Sequence, residues 1–447
     1  MLFRNLNLVD CVSPGVREGK AVRIEGERIA EVIDDHEGLS ADNVIDLGGA
    51  FVTPGLIDAH VHLITPFVPV VTPGVIASLG RQVRRNLRTV LYDGVTTVRD
   101  VAGFPRRIQG ARRAVNEGRV PGPRIVCANS YITCPGGTPE WIPYLRGPAK
   151  WIAGGQAVER VEGPEETAAA VRSMVELGAD WVKTCHSDRG LCYGKGDPPT
   201  LSDESYEAFF AEAERLGKPV AFHQMWLSAF RKGLEYRPKT FDHTPMDGPL
   251  TDQDVSSFIE AGTTLIPTLD VYRDVFEFDR IAQDLEERGE EFLEPVPYRL
   301  VSEFLDKYRR NAFTRREIEK EWIQDESIPR EGFPVAVENV RKIWQSGGAI
   351  GCGTDSGGAP FGFFGFFHRE LQNLVDVGMS PFEALRRATV VNAGILGMEH
   401  DIGTIEAGKY ADMVVVEGNP LEDISRMGRI RAVIKGGAVA YSREPLY

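Results

Sequence analysis

The chain has 447 residues, 42% of them hydrophobic and 26% charged, with a formal net charge of -14. That length exceeds the ~250 to 300 residues at which a single core stops growing, so one large unit and a smaller one are expected, and no apolar stretch approaches the ~18 residues of a membrane span. The acidic balance argues against nucleic acid or an anionic membrane as partner; the start MLFRNLNLVDC has no secretion-signal pattern and the six cysteines form no CxxC pair, so free thiols and cytoplasmic residence are expected.

Residues 1–54 alternate apolar and polar positions (LFRNLNLVD, AVRIEGERIAEVI), with Gly, Asn and Asp between the runs, the pattern of short antiparallel strands. The same texture returns at 401–447 in ADMVVVEGN and RIRAVIKGGAVAYS, so the two ends are expected to form one composite β-sandwich domain. Between them, over 55–400, short β-branched runs alternate with helix-like segments, the pattern of repeated βα units. Eight runs stand at 56–63, 95–100, 124–128, 180–184, 220–223, 240–243, 263–269 and 349–355, the number that closes a (β/α)8 TIM-type barrel. A stretch rich in Glu, Arg and Lys, about 270–340, reads as a helical insertion near the mouth.

In such barrels catalytic side chains sit where strands end, and the chemically suggestive residues fall there. His60 and His62 lie two apart on the first run, so both project from one face and can reach one divalent ion. Pro54 and Gly55 break the chain just before this buried run, and two unpaired imidazoles inside a barrel would be costly. His223 and His243 end neighbouring runs about one βα unit apart, and Asp355 ends the eighth. Lys183, on the fourth run, would meet cations there. It either forms a salt bridge to Asp355 or, with its pKa depressed, reacts with CO2 to give a carbamate; spacing leaves both open.

The motifs VTPGLIDAHVHL, GVTTVRD, GADWVKT, GTDSG, PFEALRRATVVNAGILGM and GTIEAGKYADMVVVEGNPLEDI, in that order, resemble the amidohydrolase superfamily, in its imidazolonepropionase-like and metal-dependent dipeptidase branch. The resemblance covers nearly the whole chain. It implies two divalent ions, with His60 and His62 on one, His223 and His243 on the other, carboxylated Lys183 bridging, and Asp355 binding the first and moving protons; Asp355 and His243 are the expected catalytic residues. Zinc is the default, with Mn, Co or Fe suited to the same donors. Two cations about 3.5 to 4 Å apart lower the pKa of a shared water towards neutrality, and the second ion stabilises the oxyanion while Asp355 carries the proton to the leaving nitrogen.

The chain departs from its dipeptidase relatives where substrate binds. His223 is followed by Gln224, Met225 and Trp226 rather than Ala and Tyr, the third-strand loop reads Cys134 to Thr138 without the usual histidine, and His243 is preceded by Asp242 rather than Glu. Around the expected mouth lie Phe67, Trp141, Met225, Trp226 and the run Phe361 to Phe367, followed by His368, with Thr138 on the third-strand loop. Trp226, Met225, Phe361, Phe364, His368, Thr138 and Trp141 are the candidate substrate contacts, although the phenylalanine run suits loop packing equally. His186 reads as a surface-loop histidine, the commoner case, or as supporting the site, and His36 and His400 as structural or exposed. The expected reaction is hydrolysis of a carboxamide, urea or carbamate in a small, rather hydrophobic molecule, with a dipeptidase or a cyclic-amide hydrolase as alternatives and a homo-oligomer as the expected assembly.

Overall fold

A computed structural model describes residues 1–64, 73–138, 158–187, 189, 197–277, 280, 283, 327–358 and 362–446. Phe67, Trp141, Phe361, Cys192 and most of the 270–340 insertion lie outside the described residues.

The alternating N-terminal runs become β1 (Leu2–Leu8), β2 (Arg17–Glu25), β3 (Arg28–Asp34) and β4 (Val44–Pro54). The C-terminal ones become β15 (Met413–Val416), β16 (Ile430–Lys435) and β17 (Ala438–Ser442). They join in one seven-stranded sheet, ordered β17-β16-β15-β4-β1-β2-β3, where β15 runs antiparallel to β4 with Val415 opposite Val52. One pair departs from the expected antiparallel pattern: β1 and β4 run parallel, because the β2–β3 hairpin lies on the other side of β1 and β4 returns along its free edge.

The central runs form β5 (Leu56–Val61), β6 (Val95–Asp100), β7 (Arg124–Cys127), β10 (Val182–Cys185), β11 (Val220–His223), β12 (Thr240–Asp242), β13 (Thr264–Ile266) and β14 (Ala349–Ile350), all paired in parallel with their neighbours. The third run is broken. Its lower part, β7, pairs with β6; after Ala128–Ser130 the chain resumes as β8 (Tyr131–Thr133), which pairs with β10 and with β9 (Val158–Arg160). Asp180 and Trp181 donate from their backbone amides to Cys127 O and so join the two halves.

The eighth run closes the ring beyond the end of β14. Ala59 N donates to Cys352 O at 3.1 Å, Asp355 N to His60 O at 2.8 Å, and His62 N to Ser356 O at 2.8 Å. Glycine is required for so close an approach: a Cβ on Gly353 would stand 2.8 Å from the His60 Cβ. The barrel interior below the site is filled by Trp181 among small or branched residues, including Ala59, Ala128, Ala221 and Ile266.

Helices α1 (Pro73–Tyr92), α2 (Pro105–Asn116), α3 (Pro164–Glu176), α4 (Asp203–Arg215), α5 (Leu227–Tyr236) and α6 (Asp252–Glu260) connect successive strands on the outside. α7 (Leu269–Phe276) and α8 (Ser327–Gln345) are the described ends of the insertion, and α9 (Phe367–Val377) follows the eighth run. No described helix is long and apolar enough to cross a membrane, and Cys11, Cys127, Cys134, Cys185 and Cys352 are free thiols.

Candidate active site

All six residues expected at the site come together at the ends of the barrel strands, but their pairings differ in one respect from expectation. His60 is the hub: its ring centroid lies 5.4 Å from that of His62 and 4.9 Å from that of His243, which in turn lies 4.5 Å from that of His223. Asp355 Oδ1 stands 3.4 Å from His60 Nε2 and 3.2 Å from His62 Nε2. Ligand atoms of His60, His243 and Asp355 lie within 4.8 Å of one another, so the tightest triad takes one histidine from each of the two expected pairs.

The chemistry of the donors fits divalent ions. Both ring nitrogens of His223 are buried without a hydrogen bond, a costly state unless a further group engages them, and those of His60 face only carboxylates, Nδ1 Asp242 and Nε2 Asp355, each at 3.4 Å. Burial, with the charge of Lys183, drives His223 down to about 3, and burial with His223 nearby holds His243 well below the ordinary histidine value. Both are neutral at pH 7, the form that ligates metal. His62 Nδ1 lies 2.7 Å from Ala102 O; a carbonyl only accepts, so Nδ1 carries a proton, while Asp355 beside Nε2 holds this imidazole above the ordinary histidine value against the effect of burial. His243 is oriented from the same side of its ring, with Nδ1 2.7 Å from Thr268 Oγ1.

Backbone strain collects here. His243 (φ 75), Asp355 (φ 57) and Thr268 (φ 49) occupy the left-handed region, which disfavours side chains. For Asp355 the conformation is held by glycines: a Cβ on Gly357 would stand 2.3 Å from His62 O. Beneath it, the Asp58 carboxylate accepts from His60 N (3.0 Å), Thr354 N (3.1 Å) and Thr354 Oγ1 (2.6 Å), fastening the first and eighth runs together.

Lys183 does not pair with Asp355. It donates to Asp242, which is fully buried and is held from its other oxygen by Arg99 Nη2 at 2.8 Å. Arg99 also donates to Thr240 Oγ1 at 2.9 Å and Ala59 O at 2.6 Å, and lies 4.5 Å over the Trp181 ring. Burial lowers Lys183 from the ordinary lysine value against the pull of Asp242; burial works to raise Asp242, but Lys183, Arg99 and His60 hold it well below the carboxylate range. Asp242 and Arg99 are the polar residues of the site that the sequence reading missed. GVTTVRD and FDH contain both, but strand alternation alone would put Asp242 on the face opposite His243.

Two tyrosines also border the cluster. The Tyr131 ring lies 6.4 Å from His62 and 6.3 Å from His223, and Tyr272 lies 5.8 Å from His243. The substrate candidates are placed differently. Met225, Trp226 and Phe364 are buried in the apolar core, and Trp226 Nε1 donates to Arg189 O at 3.1 Å. Phe364 lies against the Gly357 turn beside Asp355. Thr138 lies beside the end of β10, its carbonyl accepting from Cys185 Sγ, while His368, near the start of α9, packs against Gly428. His186 Nδ1 lies 3.1 Å from Tyr206 Oη. Trp226→Ala is therefore expected to cost about 3–5 kcal/mol of stability in urea unfolding, the scale of emptying a buried aromatic site; a loss under about 1 kcal/mol would return Trp226 to an open pocket.

A second buried ionisable group supports the site from behind. The Glu370 carboxylate accepts from Leu269 N (3.0 Å) and Asp270 N (2.7 Å), fixing the first turn of α7 next to Thr268 and hence the His243 contact. Burial, with Asp270 adding, raises Glu370 from 4.5 to about 8. Between those two values the folded chain holds a proton that the unfolded chain has released, so stability falls as pH rises through this window. The expected result is a fall in Tm from pH 6 to pH 9 that is shallower in Glu370→Gln; parallel curves would show that Glu370 does not titrate there.

The sequence model of the amidohydrolase family matches residues 51–440. The chain belongs to this family. It is 25% identical over 410 residues to the ochratoxinase of Aspergillus niger, covering 86% of this chain and 74% of that protein. Among solved structures, an Xaa-Pro dipeptidase with bound methionine superposes with a TM-score of 0.76 at 25% identity, covering 99% of both chains. Phenylurea hydrolase B, with a TM-score of 0.73, 22% identity and coverage of 98% of this chain and 96% of that one, shares the fold. As an amidohydrolase the chain is a hydrolase acting on C–N bonds, and the His60, His243 and Asp355 triad is its candidate metal site.

Proposed function

We propose that this amidohydrolase binds two divalent ions through His60, His62, Lys183, His223, His243 and Asp355, with Lys183 as a carbamate, and hydrolyses a carboxamide, urea or carbamate of a small, rather hydrophobic substrate. The observation that carries the reading is the convergence of four buried imidazoles, two of them, His223 and His243, held neutral and neither ring nitrogen of His223 hydrogen-bonded, beside one ionised carboxylate. The ions, Zn by default, supply a water acidic enough to give a nucleophile near neutral pH and a Lewis-acidic seat for the carbonyl oxygen.

The chain's own residues do the rest. Asp355, held ionised by His60 and His62 despite its burial, is placed to take a proton from the attacking water and return it to the leaving nitrogen. Thr268 and the Ala102 carbonyl fix the rings of His243 and His62, so no reorganisation is needed as charge develops. Asp242 and Arg99 lock the Lys183 stem, and a carbamate nitrogen retains one N–H with which to keep the Asp242 contact.

The rings of Tyr131 and Tyr272 beside the histidines support a substrate with apolar or aromatic parts. The likeness to an Xaa-Pro dipeptidase favours a second reading, a dipeptidase with an altered pocket. Against it stands Gln224, which follows His223 and spends its amide on His243 O at 2.6 Å. A panel of N-acyl amino acids, arylureas, carbamates, lactams and dipeptides, run with metal-reconstituted protein, separates the two. A neutral aryl amide, urea or carbamate is expected to give the highest kcat/KM; dipeptides ahead of every neutral substrate would establish the second reading.

A further inference from the structure

We propose that a second copy of this chain docks on the outer face formed by α2 and α3, arginines against carboxylates, about a twofold axis parallel to the barrel axis. The observation is a segregation of charge that the net value of -14 conceals. α1 and α2 each carry four arginines and no acidic residue or lysine. Arg84, Arg106, Arg107 and Arg113 are exposed, with no ion pair among the described residues. The adjoining pair is the reverse: Glu165, Glu166 and Glu176 of α3 are exposed, as are Glu204, Glu207 and Glu214 of α4. The two cations there, Arg172 and Arg215, are already engaged by Glu212.

These helices are neighbours in the ring. Arg112 Nη1 meets Asp180 at 2.6 Å and Gln109 donates to Gly178 O at 3.1 Å, which sets α2 against the turn that ends α3; Arg172 of α3 meets Glu212 of α4 at 3.2 Å. Helices that follow parallel barrel strands all run the same way. A half-turn about an axis through the α2/α3 seam, parallel to the barrel axis, therefore lays α2 of one copy along α3 of the other in the same direction, and the reverse contact follows by symmetry. Arg106 and Arg107, second and third in α2, then face Glu165 and Glu166, second and third in α3, while Arg113 faces the end that carries Glu176.

A polyanion is the poorer occupant. Packed helices stand about 8–10 Å apart, so a strand of nucleic acid lying on the arginines of α2 would have the carboxylates of α3 within about one Debye length. An identical partner satisfies both charges at once, and such complementarity also fixes register.

The test uses sedimentation equilibrium of the full chain in low salt. Arg106→Glu/Arg107→Glu/Arg113→Glu and Glu165→Arg/Glu166→Arg/Glu176→Arg are each expected to halve the particle mass, and an equimolar mixture of the two variants to restore it. Restoration also shows that both variants fold. The milder Arg106→Gln/Arg107→Gln is expected to raise the dimer Kd about tenfold or more, an effect that shrinks as salt is added. A monomeric wild type, unchanged mass or Kd in the variants, or a mixture that stays at half mass would overturn the proposal. So would dissociation of the wild type by a labelled 20-nucleotide DNA bound at these arginines, which would give the face to a polyanion.

Discussion

Lys183→Ala is expected to lower kcat/KM by about 10³-fold or more, the scale on which a preorganised electrostatic partner acts in a closed site. The fold should survive, for a reason visible in the pairing. Removing one member of a buried ion pair usually strands the other and costs about 3–5 kcal/mol. Here Asp242 keeps Arg99 at 2.8 Å, so its charge remains compensated and the cost should fall below that range. The side chain that is lost leaves a space next to His223 and Tyr131, large enough for a short carboxylic acid to offer its two oxygens where a carbamate would. Acetate or propionate should therefore restore part of the activity and part of the bound metal in Lys183→Ala, and neither in Asp355→Asn. Rescue by methylamine instead of acetate would mean that the amine itself, paired with Asp242, is the working form.

Asp355→Asn separates proton transfer from shape. Asparagine is nearly isosteric with aspartate and, like it, tolerates the left-handed backbone, so the φ of 57 at this position should be retained and the Gly357 and Gly358 turn undisturbed. What is lost is the anion between His60 Nε2 and His62 Nε2, and with it a candidate metal-site carboxylate and the proposed proton carrier. General acid–base catalysis contributes about 10²–10⁴-fold, and that loss in kcat is expected here with Tm changed by only a few degrees. Asp355→Ala should add a backbone penalty and a larger fall in Tm. Equal kcat in wild type and Asp355→Asn would remove Asp355 from the chemistry.

The sequence reading located the barrel strands well because their signal is local: a short β-branched run ending in a polar residue, spaced by a helix. The candidate metal-site residues are legible for the same reason, since each stands near the end of such a run. The sequence reading missed what depends on backbone departures from regularity. The third run carries a break at Ala128–Ser130, which swings Tyr131 over His62 and His223 and shifts the pairing from β6 to β10. Asp242 and His243 are consecutive and should face opposite ways, yet β12 stops at Asp242 and His243 turns to φ 75, so both enter the basin. Glycine announces such conformations most plainly and asparagine more weakly; the break carries Asn129 at φ 67, and His243 carries no such signal. The aromatic residues are legible in sequence only in part. Proximity to a metal-site candidate in sequence says nothing about which side of the strand a large side chain fills; Trp226 and Phe364 are both buried, Phe364 against the Gly357 turn.

The central claim is that turnover requires divalent ions held by this set of donors. Its most direct test is to strip the purified protein with a chelator, return Zn, Mn, Co or Fe stepwise, and follow bound metal by elemental analysis alongside hydrolysis of the best substrate. Activity should vanish on stripping and return in proportion to bound metal, reaching its plateau at two equivalents per chain, while His60→Ala/His62→Ala binds less and does not recover. Full turnover in metal-free protein, or a plateau reached with the His60→Ala/His62→Ala variant, would contradict the account.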